Sequence, residues 1–172
     1  MLKILCLSGS LRANSSTHIV LNEIIKQHAD VQFTVYNNLG NLPHFNDSSE
    51  IPEAVTNFRT ALQQADGVLF VTPEYAFGVP GTLKNALDWT VSSGEFVNKP
   101  TAVIVASTGG ENAFHSVLLT LKAISANIGE KSTLLVSFIR SKVSSLEVTD
   151  PQLKILLKEV IEDLKGNIRS AE

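Results

Sequence analysis

Short apolar runs alternate with amphipathic segments along the whole chain. The runs at 67–72 and 101–106 are continuously apolar, which is typical of strands buried on both faces of a parallel sheet. The run at 2–7 is short and apolar apart from Lys3, and it predicts the first strand. The run at 31–36 alternates in character, so we expect a half-exposed strand at a sheet edge. A further apolar run begins at 133–136 and predicts the fifth strand.

Between these strands, apolar residues recur at helical spacing. The first three predicted helices run from about Thr17 to His28, from Pro52 through Ala65, and from Pro80 to about Val91. The fourth is predicted to begin at a cap at Asn112 and to have Ile128 on its apolar face. The fifth is predicted to begin at Asp150-Pro151. Strand–helix alternation predicts an α/β fold: a three-layer, doubly wound sheet of five parallel strands in the flavodoxin-like order 2-1-3-4-5. At this length we expect residues 1–172 to form one domain.

In that strand order the loops after strands 1, 3 and 4 lie at one crevice. The first loop, 8–17, is dense in small hydroxyl residues, carries one arginine and precedes a helix. Helix N-termini offer unpaired N–H groups and partial positive charge, which favour a phosphate. The candidate phosphate ligands are Ser10, Arg12, Ser15, Ser16 and Thr17.

The other two loops offer a flat surface and a polar edge. Tyr75 can stack on a planar ring, and the glycines allow close backbone approach. The candidate ligands here are Pro73, Glu74, Tyr75, Ala76 and Gly78 in the second loop, and Ser107, Thr108, Gly109 and Gly110 in the third. The chain lacks both the Gly-x-Gly-x-x-Gly and the Gly-Lys-Ser/Thr fingerprints. A mononucleotide with an aromatic ring fits best, and flavin mononucleotide (FMN) is such a ligand.

Composition narrows the classes of partner. Charged residues make up 18% of the chain and the net charge is −3, without a basic stripe for nucleic acid or a membrane surface. The single cysteine, Cys6, excludes an internal disulfide and is typical of a reducing compartment. The four histidines lack metal-ligand spacing. We therefore expect a cytoplasmic protein without a metal, a nucleic-acid partner or a membrane span.

Two motifs resemble the NAD(P)H-dependent FMN reductases, a flavodoxin-like family that includes quinone, azo-dye and chromate reductases. They are Gly9-Ser10-Leu11-Arg12 followed by Ser15, and Pro73-Glu74-Tyr75-x-x-Gly78-x-Pro80-Gly81-x-Leu83-Lys84-Asn85-Ala86-Leu87-Asp88-Trp89. The resemblance implies tightly held FMN and NADPH or NADH as a transient co-substrate. It implies hydride transfer to flavin N5, then reduction of a quinone, flavin or similar small acceptor in a ping-pong cycle. It also implies a homodimer or homotetramer, and no catalytic side chain is required.

Three positions depart from the family pattern. Thr17 and Ala76 stand where the family often has asparagine, and Glu111 follows the third loop in place of a further glycine. A threonine keeps a hydroxyl donor, so we expect that contact to persist. Ala76 leaves only its backbone for the ring, and Glu111 adds negative charge on the acceptor side.

Two alternatives stay open. One is a flavodoxin-like electron carrier without turnover, although carriers usually surround the flavin with more acidic residues than this chain offers. The other is a low-molecular-weight cysteine phosphatase, because Cys6 and Arg12 have Cys-x5-Arg spacing and Asp150-Pro151 could supply the general acid. However, Cys6 lies inside an apolar run, where a thiol is usually buried and inert.

Overall fold

The computed structural model describes residues 1–12 and 14–171, which contain a five-stranded sheet in the order β2-β1-β3-β4-β5. All neighbouring strands are parallel. The strands are β1 (Leu2–Ser8), β2 (Val31–Val35), β3 (Gly67–Thr72), β4 (Pro100–Ala106) and β5 (Asn127–Val136). The predicted fold class and strand order are confirmed. Strands β3 and β4 are buried along their whole length, as their continuous apolar runs predict.

Helices pack on both faces of the sheet. They are α1 (Ser16–Gln27), α2 (Glu53–Gln64), α3 (Gly81–Asp88), α4 (Glu111–Ala123) and α5 (Pro151–Ala171), with short 3-10 turns at Leu39–Asn41 and Ile139–Ser141. Side chains of successive strand residues contribute alternately to two separate hydrophobic cores. One core lies beneath α2, α3 and α4, and the other lies beneath α1 and α5. This arrangement is the predicted three-layer architecture.

Helix α3 ends at Asp88, three residues before the predicted end at Val91. The α-helical hydrogen bonding is replaced there by 3-10-type bonds, since the N–H groups of Thr90 and Val91 donate to carbonyls three residues back, at 3.0 and 3.3 Å. The Trp89 carbonyl accepts from Arg59 Nε at 3.0 Å, so it is not available to a further helical turn. Trp89 itself is a core residue, as predicted, and its indole Nε1 donates to the Pro43 carbonyl at 2.8 Å.

Strand β5 begins six residues before the predicted start at Thr133, and Ile128 belongs to it rather than to α4. Ile128 pairs with Thr101, whereas Thr133 pairs with Val103, so the register shifts between these pairs. The Asp163 carboxylate stabilises this irregular stretch by accepting from Lys131 N at 3.0 Å and from Ser132 Oγ at 2.7 Å. The bulge interrupts the apolar run, which is why the pattern misplaced the strand.

Helix α5 begins at Pro151, as predicted, and Asp150 caps it by accepting from Gln152 N at 2.9 Å. It is the longest helix that the described residues contain, at 21 residues, and it is amphipathic. Within 1–12 and 14–171, no helix combines the length and the hydropathy required to cross a bilayer.

Candidate functional site

The loops after β1, β3 and β4 meet at the carboxyl ends of the strands, as the strand order requires. They enclose a cavity of about 260 Å³ lined by most of the predicted residues: Ser10, Arg12, Ser15, Ser16, Thr17, Pro73, Glu74, Tyr75, Ser107 and Thr108. A more open cavity of about 670 Å³ lies beside it and shares Ser10, Arg12 and Tyr75. The crevice is therefore continuous from the first loop to the start of α3.

The first loop is fixed against the end of β3. The Gly9 N–H donates to the Val71 carbonyl at 3.0 Å, and Ser8 Oγ donates to the Ser10 carbonyl at 3.0 Å. The Arg12 N–H donates to Ser10 Oγ at 3.3 Å. These local bonds direct the chain past the sheet edge and into α1.

The N-terminus of α1 opens into the cavity. Ser15 is the N-cap, and its Oγ accepts from the His18 N–H at 3.4 Å. The same Oγ lies 2.7 Å from Thr17 Oγ1 and 2.8 Å from His18 Nδ1. Residues 16–19 include no acidic side chain to neutralise the positive end of the helix. Burial lowers the pKa of His18, so its ring is uncharged at neutral pH. The helix end and the loop arginine carry the positive potential here.

Arg140 also lines this cavity, and sequence analysis did not identify it. It lies in the 3-10 turn after β5, the strand beside β4. The turn is fastened to the third loop, because Phe138 N donates to Thr108 O and Ile139 N donates to Ser107 O, both at 3.0 Å. The same topological argument that selected the other loops could have included this one. Two arginines, Arg12 and Arg140, therefore line the cavity.

The second loop forms a tight turn. Tyr75 and Gly78 exchange two backbone hydrogen bonds of 3.0 Å, and the turn between them holds Ala76 at φ 48° and Phe77 at φ 58°. Ala76 and Gly78 do not line the 260 Å³ cavity, and Phe77 is 81% exposed. The Tyr75 hydroxyl donates to Ser10 Oγ over 3.5 Å. Tyr75 therefore connects the aromatic side of the crevice to the hydroxyl-rich side.

Glu74 joins the second loop to the third. Its Oε2 accepts from the Ala113 N–H in the first turn of α4 at 2.9 Å. The predicted cap at Asn112 is wrong, because the N-cap of α4 is Gly110, whose φ of 118° is left-handed. A Cβ on Gly110 would also lie 2.8 Å from Leu135 Cδ1, so this position requires glycine. Ser107 and Thr108 line the cavity, whereas Gly109 and Gly110 do not.

The two groups required by a cysteine phosphatase lie elsewhere. Cys6 is fully buried in the core beneath α1 and α5, and burial raises the pKa of its thiol to about 12. The Asp150 carboxylate caps α5 and pairs with Lys142 Nζ at 2.7 Å. The structure therefore argues against thiolate chemistry at Cys6. Within 1–12 and 14–171, no three His, Cys, Asp or Glu side chains are grouped to hold a metal ion.

A three-layer flavodoxin-like sheet whose first loop is dense in hydroxyl residues and carries one arginine is typical of a class of flavin-dependent reductases. Residues 2–139 match the family described as NADPH-dependent FMN reductase, and the chain belongs to that family. It is 32% identical to an NADPH azoreductase of Bacillus sp. (strain OY1-2), over 96% of this chain and 92% of that protein. It is 36% identical to an NAD(P)H-dependent FMN reductase of Pseudomonas aeruginosa, over 63% of this chain and 61% of that protein.

A solved structure shows the same fold. The flavoenzyme NAD(P)H:(acceptor) oxidoreductase FerB from Paracoccus denitrificans superposes with a TM-score of 0.76 at 24% identity, over 97% of this chain and 99% of that one. The predicted family, fold, enzyme class and cofactor are confirmed: the protein is an oxidoreductase of a family that uses FMN and NAD(P)H. Family membership also favours an enzyme over an electron carrier without turnover.

Proposed function

We propose that this protein is an FMN-dependent NAD(P)H oxidoreductase that reduces a quinone, a flavin or a similar small acceptor in a ping-pong cycle. The observation that carries the proposal is the continuity of the crevice. A helix N-terminus rich in hydroxyl groups opens into a cavity whose other walls are an aromatic ring and a polar loop. The relatives named azoreductase and quinone reductase support an acceptor of this size and type.

The residues present fit FMN. Ser10, Arg12, Ser15, Ser16 and Thr17 would hold its phosphate, because they surround a helix end that no acidic residue neutralises. The ring would lie against the second loop, where Tyr75 offers an aromatic face and Pro73, Glu74, Ala76 and Gly78 complete the turn. The third loop, Ser107, Thr108, Gly109 and Gly110, would offer backbone N–H groups and hydroxyls to the polar edge of the ring.

FMN, when bound, supplies the redox chemistry by taking a hydride from NAD(P)H and passing the electrons to the acceptor. The protein would position both partners, with the more open cavity of about 670 Å³ beside the phosphate-binding loop as the open face of the crevice. We propose that the nicotinamide and the acceptor occupy this cavity in turn, as a ping-pong cycle requires. Glu74 already accepts a hydrogen bond from Ala113 N, so we assign no side chain as a general acid or base.

We also propose that the protein forms a homodimer or homotetramer that covers the open face. Tyr75 is 51% exposed and Phe77 is 81% exposed at the rim of the crevice, so apolar ring surface is available there. Trp89 is buried and contributes nothing to such a contact. Sedimentation of the wild type and Phe77→Ser would show whether this rim holds subunits together. The single-domain organisation and the cytoplasmic location stay predictions.

The absorption spectrum tests the proposed function. Purified protein is mixed with FMN, freed of excess flavin and scanned before and after anaerobic addition of NADPH. We expect retained flavin bands that bleach, followed by turnover with a quinone. Retained bands without bleaching would favour the carrier, and absence of bound flavin would refute the proposal. Ser15→Ala, which removes the capping hydroxyl, should retain less FMN than the wild type, because it deletes one hydroxyl donor from the site.

A further inference from the structure

We infer that Arg140 is a second phosphate-binding arginine, and that together with Arg12 it makes the site selective for phosphorylated flavin over riboflavin. This inference rests on the proposed function, since it assigns a role at the same site. The family match ends at residue 139, so Arg140 lies outside the segment that defines the family. Its assignment comes from the geometry of this chain alone.

The first support is the fixed position of the Arg140 backbone. Phe138 adopts φ 55°, which turns the chain sharply at the end of β5. Two 3.0 Å hydrogen bonds then fasten residues 138 and 139 to the carbonyls of Thr108 and Ser107. On the far side, Lys142 pairs with Asp150 at 2.7 Å, which anchors the turn to the start of α5. Arg140 is therefore held at the wall of the cavity from both directions.

The second support is that Arg12 and Arg140 line the same two cavities. Arg12, Ser16 and Arg140 line the 260 Å³ cavity and also a neighbouring cavity of about 470 Å³, whose other lining residues include 143–146. Both arginines thus lie beside the space at the N-terminus of α1. A group bound there is accessible to both side chains and to the Ser16 hydroxyl.

The third support is charge. Neither Arg12 nor Arg140 forms an ion pair with any carboxylate in the part of the chain that the structure describes. The carboxylate that shares the cavity, Glu74, accepts a bond from Ala113 N. Two uncompensated guanidinium groups beside a positive helix end match a phosphate monoester, which is close to dianionic at neutral pH. Riboflavin has no such group and gains nothing from either arginine.

Flavin affinity tests the inference. FMN and riboflavin are titrated by fluorescence quenching into the wild type, Arg140→Ala and Arg140→Lys at two salt concentrations. Arg169→Ala is the matched control, because Arg169 is an exposed arginine on the last turn of α5 and does not line the cavity. We expect Arg140→Ala to weaken FMN binding by roughly tenfold to a hundredfold and to leave riboflavin binding unchanged, as loss of a charge-assisted hydrogen bond implies. The salt dependence of FMN binding should fall as well.

Arg140→Lys should lie between the wild type and Arg140→Ala, because it keeps the charge but loses the bidentate fork. Unchanged FMN affinity in Arg140→Ala would overturn the inference. Equal loss of FMN and riboflavin would also overturn it, since that result means the third loop has moved. A raised KM for NADPH with normal FMN affinity would assign Arg140 to the phosphate of the co-substrate instead and overturn it too. Failure of the wild type to bind FMN would refute the proposed function itself.

Discussion

Gly9 is the position where the first loop crosses the end of β3, and its replacement by alanine gives a sharp prediction. A Cβ added at Gly9 would lie 2.0 Å from Thr72 Oγ1 and 2.7 Å from Thr72 Cβ. It would also lie 3.2 Å from Pro73 Cδ. The Thr72 hydroxyl can rotate away, but its Cβ is fixed by the backbone of β3. Gly9→Ala must therefore separate the loop from the strand.

The expected cost follows from this overlap. Overpacking a well-packed position usually costs about 1–3 kcal/mol, and a clash with a backbone-fixed Cβ belongs at the upper end, about 3 kcal/mol. For a domain of this size, 1 kcal/mol shifts the melting temperature by roughly 2–4 °C, so Gly9→Ala should lower Tm by about 6–12 °C. FMN affinity should fall as well, because the phosphate ligands Ser10 and Arg12 follow directly.

Thermal unfolding followed by circular dichroism measures the effect, and two glycines provide controls. A Cβ on Gly81 or Gly166 would meet nothing within 4 Å. Gly166→Ala lies inside α5 and should raise stability by about 0.5–1 kcal/mol. Adding Thr72→Ala to Gly9→Ala should restore part of the loss, because the hydroxyl contact disappears but the Cβ contact remains. A Gly9→Ala protein as stable as the wild type would refute this steric account of the loop crossing.

Three further predictions concern stability and reactivity. Ala76→Asn should raise the free energy of unfolding, measured in urea, by a few tenths to about 1 kcal/mol. The reason is that asparagine tolerates the left-handed conformation that Ala76 adopts at φ 48°. A lower free energy of unfolding would contradict the described turn. Burial lowers the pKa of His28, so the unfolded chain binds the extra proton and stability should fall as the pH drops below 6.5. His28 alone should contribute at most about 1.4 kcal/mol per pH unit to this slope. The slope should decrease in His28→Gln but not in the exposed control His44→Gln, and an unchanged slope in His28→Gln would exclude this origin. The buried Cys6 thiol, whose pKa is raised to about 12, should resist alkylation by iodoacetamide at pH 8 until the protein unfolds. The Cys6→Ala variant should retain reductase activity. An aryl phosphatase activity of the wild type that is lost in Cys6→Ala would instead support the phosphatase alternative.

The sequence pattern predicts the parts of the fold that depend on continuous burial. Strand β3 begins and ends where its apolar run does, because both faces of that strand are covered. The pattern fails where tertiary contacts override local preference. Strand β5 contains Gly129, where a Cβ would lie within 3 Å of Ser132 Oγ and of the Asp163 carboxylate, and this bulge interrupts the apolar periodicity.

In the candidate site, too, local features could be predicted from the sequence and features that depend on tertiary contacts could not. The first loop could be predicted, because its chemistry is local: hydroxyl groups, one arginine and a helix start. Local chemistry does not identify Arg140, because its place beside the phosphate-binding loop depends on the strand order, which puts the turn after β5 next to the third loop. The left-handed backbone of Ala76 could not be predicted from the residue type either, because alanine has no preference for positive φ. Only the observation that the family often has asparagine there points to such a backbone.

The hydrogen bond from Ala113 N to Glu74 distinguishes the N-terminus of α4 from that of α1. In helix α4, the Ala113 N–H donates to Glu74 and Glu111 lies in the first turn, so two carboxylates compensate the positive end of this helix. Helix α1 has no such compensation in residues 16–19. The cleft is consequently polarised, with one cationic pole and one neutral pole. A ligand with a phosphate at one end and an uncharged ring at the other has one electrostatically favoured orientation before any contact with the ring is made.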